Sequence, residues 1–64
     1  MAHYMVTYGF YDHIAAMSTK QRAWEVATQS AKNDGRAIEI RRNPGFKLLA
    51  RIWRDMEGLQ YIEY

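Results

Sequence analysis

Between Ser18 and Gly35 the apolar residues Ala23, Trp24, Val26, Ala27 and Ala31 fall on one stripe at about 100° per residue, with Arg22, Glu25, Gln29 and Lys32 on the opposite side. A helix with one apolar stripe needs a surface to cover. Three alanines on that stripe let the backbone come close to a sheet, and Trp24 is placed to cover the edge. Ser30, the one polar residue in the stripe, can bond back to a carbonyl one turn earlier. Ser18-Thr-Lys-Gln reads as a capping box, with Ser18 as the cap and Gln21 reaching back to it. Asn33-Asp34-Gly35 ends the helix, Gly35 taking the left-handed conformation.

The flanking segments supply the sheet. His3 to Phe10 places Tyr4, Val6, Tyr8 and Phe10 on alternate positions, a strand with one buried face. The stretch from Asp12 to Met17 has apolar residues all round a helix and reads as a loop or a continuation of the strand. Arg36 to Arg42 alternates Ile38 and Ile40 with Glu39 and Arg41 until Asn43-Pro44-Gly45 stops it. Phe46 to Arg54 has slightly helical periodicity, with Pro44 suited to a first turn. A hairpin uses the same residues better. With Asn43-Pro44-Gly45 as a three-residue loop and Gly45 left-handed, Ile40 pairs with Leu48 and Ile38 with Ala50, and one face becomes apolar. Asp55-Met56-Glu57-Gly58 then turns the chain into a last strand, Leu59 to Tyr64, that needs a neighbour. The expected fold is α+β, a single domain over residues 1–64, in the order β-α-β-β-β with one amphipathic helix on an antiparallel sheet. The alternative is β-α-β-α-β.

With 64 residues and no cysteine, neither a disulfide nor a thiolate metal site can staple this fold. A single core of this size leaves about 3–5 kcal/mol, so a homodimer is a reasonable second source of stability. Two Trp, five Tyr and two Phe argue for a folded chain, since disordered chains are poor in aromatics. No basic leader precedes a long apolar run, so the expected location is the cytoplasm, without membrane insertion.

The net charge of +2 conceals a cationic block. Residues 36–54 hold Arg36, Arg41, Arg42, Lys47, Arg51 and Arg54 against Glu39 alone, while 55–64 hold only Asp55, Glu57 and Glu63 as charged residues. In the hairpin register Arg41, Lys47 and Arg51 share an outward face with Leu49 and Trp53, joined by Ile62 and Tyr64. Cationic and aromatic groups on an open sheet suit an acidic protein surface, with Trp and Arg as anchors, or nucleic acid, with charges on phosphates and rings on bases. The bland reading of the same residues is a core or dimer core with a solvated basic rim.

Catalysis finds no support. Ser18 and Ser30 have helix explanations, and no phosphate-binding glycine loop occurs. Asp55 and Glu57 are ordinary turn residues. His3, His13 and Asp12 match no metal-ligand spacing. The chain is therefore expected to be no enzyme and to need no cofactor or metal.

The layout S-T-K-Q-R-A-W-E-V-A, D-G-R-A-I-E-I and A-R-I-W-R-D-M-E-G-L-Q-Y-I-E-Y resembles that of small phage-encoded host-takeover and anti-CRISPR proteins across the whole chain. The resemblance implies a binding protein that inhibits or redirects a host protein or nucleoprotein complex, such as a CRISPR effector or RNA polymerase, in the host cytoplasm. Many such inhibitors are acidic mimics of DNA, whereas this chain is basic, so its partner would be an acidic protein patch or nucleic acid itself. The candidate partner-binding residues are Arg41, Arg42, Lys47, Arg51 and Trp53. A small nucleic-acid-binding module is the alternative.

Overall fold

A computed structural model describes residues 3–8 and 13–64 of the chain. Phe10 and Asp12, read above as strand and loop, lie outside them. The element order is β1 (Tyr4–Thr7), β2 (His13–Met17), α1 (Lys20–Asn33), β3 (Ile38–Arg42), β4 (Lys47–Asp55) and β5 (Gly58–Glu63). One helix packs on an open five-stranded antiparallel sheet, in the spatial order β2-β1-β3-β4-β5. The stretch left between loop and strand continuation is thus a strand of its own, paired back on β1 with a bulge between Val6 and Thr7. Among the described residues no helix is long and apolar enough to cross a membrane.

The core is the row of side chains that the register sets beneath the helix. Residues directly opposite one another in an antiparallel pair share a face. Ala15, Val6, Ile40 and Ala50 line up across four strands, and Ile38 with Ile52 forms the next row. Val6, Ile38, Ile40, Ala50 and Ile52 are buried against Ala23, Ala27 and Ala31, every one of them at most 3% exposed. The expected alanine stripe is the helix's buried face. Trp24 extends the cover outward, its ring edge-on to Tyr61 at 5.7 Å and 89°.

Both helix ends differ from expectation. The N-cap is Thr19, whose hydroxyl accepts from the backbone N–H of Arg22 at 3.2 Å. Ser18 is not the cap, because β2 keeps the chain extended through Met17, where the His3 N–H meets the Met17 carbonyl at 3.0 Å. With the cap moved by one, the third helical position is Arg22 and the reciprocal Gln21 arm is lost. At the other end Asp34, in an extended conformation, is the C-cap, and Gly35 does not take a positive φ. Asp34 accepts from the Arg36 N–H at 3.3 Å instead, while Arg54 Nη1 donates to the Lys32 carbonyl at 2.7 Å and so satisfies one of the helix's last acceptors.

The β3–β4 hairpin is present, but its register is not the expected one. Its turn takes four residues, with Gly45 at φ 92° and Phe46 at φ 54°, so Arg42 faces Lys47 and Arg41 faces Leu48. A bulge follows between Ile40 and Arg41, after which Ile40 pairs with Ala50 and Ile38 with Ile52. The longer turn and the bulge each shift the pairing by one. Together they shift it by two, which returns Ile38, Ile40, Glu39 and Arg51 to their expected faces because side chains alternate with period two. Lys47 and Leu48, which lie between the two shifts, exchange faces.

Candidate interaction face

The sheet face away from the helix carries Thr7, Glu39, Arg51 and Ile62 in one row across β1, β3, β4 and β5, with Trp53 opposite Gln60 in the next row. At its β4–β5 end Arg51, Trp53 and Ile62 meet Gly35 and Ala37 around a shallow groove of about 470 Å³. The two small residues keep the β3 side of that groove low. Arg51 is exposed, Trp53 is half-buried and Ile62 is 46% exposed. Arg51 has no ion-pair partner among the described residues, so its charge is available to an incoming group.

The other predicted site residues go elsewhere. Arg41 does lie on the outward face, but its Nη2 pairs with Glu39 Oε1 at 2.9 Å, with the two side chains only 12% and 17% exposed. Its Nη1 donates to the Phe46 carbonyl at 3.2 Å, and its guanidinium carbon lies 5.0 Å from the centre of the Phe46 ring. Arg41 is therefore committed to holding the β3–β4 turn, where a bulky residue sits at positive φ. Lys47 is a correction: the longer turn places it opposite Arg42, on the helix-side face, and not beside Arg41. Arg42 itself lies over Tyr4, 5.8 Å from the ring centre. Leu49, expected outward, is partly buried against the core. Of the five predicted residues, only Arg51 and Trp53 converge on one surface.

The sequence places Ala37 with Arg51 on the outward face and gives Ile62 as an accessory, but passes over Gly35, because a groove floor has no local pattern. A second feature was also missed. Leu59, Tyr61, Ile62 and Tyr64 are 36–66% exposed, so β5 shows apolar side chains on both faces. The signal was available in the absence of any Lys or Arg from residues 55–64.

One titratable cluster is resolved near the groove. Asp34 is held below the usual aspartate value of 3.8, first because the Tyr8 hydroxyl donates to its carboxylate; desolvation opposes this, and the Arg36 N–H and guanidinium add to the lowering. The Arg36 guanidinium stacks 3.5 Å from the centre of the Tyr8 ring and reaches Asp34 at 3.8 Å. The three side chains tie the helix exit to the end of β1. Their partners are one another, so they serve the fold.

Comparison of the chain with protein-family models, with curated proteins and with solved structures gives no match.

Proposed function

We propose that this protein acts by binding and not by catalysis, covering a surface of a protein partner with the outer face of β4 and β5. The observation that carries the reading is the convergence of Arg51, Trp53 and Ile62 on one groove. Trp53 and Ile62 present apolar area that gains from desolvation, and Arg51 supplies a directed, charge-assisted contact to a carboxylate. Arg51 stands there without the row of cations that a phosphate backbone calls for, since Arg41 is neutralised by Glu39 and Lys47 and Arg42 sit on the other face. That favours an acidic protein patch over nucleic acid. Inhibition or redirection of a host machine, as the phage-type layout implies, is the role such a cover would play.

The test is retention of a tagged protein's partner from a bacterial lysate, with and without nuclease, for the wild type and for Trp53→Ala and Arg51→Ala. The reading expects one defined protein that survives nuclease and that Trp53→Ala weakens by about thirtyfold, the effect of a hot-spot residue of about 2 kcal/mol. It expects Trp53→Ala to change the melting transition far less. Equal losses in binding and folding would make Trp53 a core residue, and recovery of nucleic acid alone would replace the reading.

A further inference from the structure

The sheet has two free edges, and they are protected unequally. The β2 edge is interrupted by the bulge between Val6 and Thr7. β5 pairs with β4 without interruption from Gly58 to Glu63 and carries no proline, lysine or bulge, the usual devices that blunt an edge. Its backbone phase follows from one bond: the Tyr64 N–H donates to the Leu49 carbonyl at 2.9 Å. Inward and outward residues alternate along an antiparallel strand, so Ile62 and Gln60 also face β4 while Glu63, Tyr61 and Leu59 turn their N–H and C=O groups outward. Among the described residues nothing pairs with these three, which thus present an open ladder, flanked by exposed apolar side chains on both faces.

We propose that the β5 edge accepts an extended, basic and apolar strand of a partner protein, which adds to the sheet as a sixth strand. Charge selects this occupant. Asp55, Glu57 and Glu63 are the only charged residues from 55 to 64. On the neighbouring strand Arg54 is bound to the Lys32 carbonyl, and Arg51 sits beside Ile62 on the outer face. A second copy of the chain, paired antiparallel about a twofold, would bring the Asp55 and Glu57 end of each β5 to the Glu63 end of the other, like charges at both ends of the ladder. A strand with Lys or Arg beside Glu63 on the helix-side face and apolar residues beside Ile62 on the outer face meets complementary groups on both. This edge shares Ile62 with the Trp53 groove but uses neither Arg51 nor Trp53.

The experiment is residue-resolved amide exchange with and without a capped octapeptide of alternating lysine and valine, and with its glutamate counterpart. The lysine peptide should slow exchange at Leu59, Tyr61 and Glu63 by roughly tenfold or more while leaving Gln60 and Ile62 unchanged. Tyr61→Pro removes an outward N–H at an edge position where proline is tolerated, and should abolish the effect. Glu63→Lys keeps every N–H and should transfer the preference to the glutamate peptide, a readout that holds if the proline variant fails to fold. The pair Arg51→Ala and Trp53→Ala should leave peptide protection intact, which separates this edge from the groove. Equal protection by both peptides, or none, overturns the proposal. Protection that rises with protein concentration alone, with a dimer in sedimentation, overturns it in favour of a second copy.

Discussion

The centre of the sheet and its β5 margin are both rich in apolar residues, yet Ile38 and Ile40 are fully buried while Tyr61, Ile62 and Tyr64 expose 64%, 46% and 66% of their surface. Composition does not separate them; reach does. A helix about 10 Å across is narrower than five strands at about 4.8 Å spacing. α1 packs against β1, β2, β3 and β4, and Trp24 meets β5 through Tyr61. One helix cannot cover five strands, so the outermost strand keeps its apolar side chains for another surface. The inner strands hold the fold and the margin is free to bind.

That division is broken most directly by the same truncation in both regions. Ile38→Ala removes a fully buried side chain from the row beneath the helix, at a cost of about 2–5 kcal/mol. Set against the 3–5 kcal/mol or so of a core this small, that leaves the variant largely unfolded at room temperature. Ile62→Ala, on the margin, should stay within about 0.5 kcal/mol of the wild type. Urea unfolding followed by far-ultraviolet circular dichroism measures both. Comparable losses would mean that the margin is part of the core and that the distinction fails.

The sequence made the two faces legible and the register illegible, for one physical reason. Faces follow from a period of two, which Ile38, Glu39, Ile40 and Arg41 announce locally. Register depends on how many residues the turn consumes and on where the ladder bulges. Phe46 at φ 54° is a conformation that its side chain gives no hint of, and the bulge places Leu49 between two pairings. Both shifts are invisible locally, and their sum preserves the core. The site suffered instead, because Lys47 lies between them. The same limit applies at the helix exit, where Gly35 looked like the terminator until Tyr8, far away in sequence, claimed Asp34.

A smaller effect sharpens the comparison on the inner strands. Thr7 is fully buried, yet its Oγ1 has no hydrogen-bond partner among the described residues. An unsatisfied buried hydroxyl costs about 1–3 kcal/mol, so Thr7→Val, of the same shape, should raise the unfolding midpoint by an amount corresponding to about 1 kcal/mol. A lowered midpoint would mean that the hydroxyl is satisfied after all. Thr19→Ala should cost about 1 kcal/mol through the lost cap. Ser18→Ala and Gln21→Ala should each stay within about 0.5 kcal/mol, since neither side chain caps the helix. The three melts together decide between the cap at Thr19 and the box that the sequence suggested.

The smallest expected effect is read by its loss in acid. Asp34 has its folded value held below 3.8 chiefly by the Tyr8 hydroxyl, so the folded state binds its proton less readily than the unfolded chain does. A depressed carboxyl contributes stability that is fully present above its unfolded value and is lost as pH falls through the folded one. Stability should therefore decline as pH drops below about 4, through a window that ends under the folded value. Tyr8→Phe keeps the ring on which Arg36 stacks and removes only the donor. The variant should be less stable than the wild type near neutral pH, and the gap should close once Asp34 is protonated in both states. Arg36 remains to hold part of the depression, so the acid limb should become shallower without becoming flat. Parallel curves for the two proteins across that window would mean that the Tyr8 hydroxyl does not bind the carboxylate, and that the covered half is closed at the helix exit by Arg36 alone.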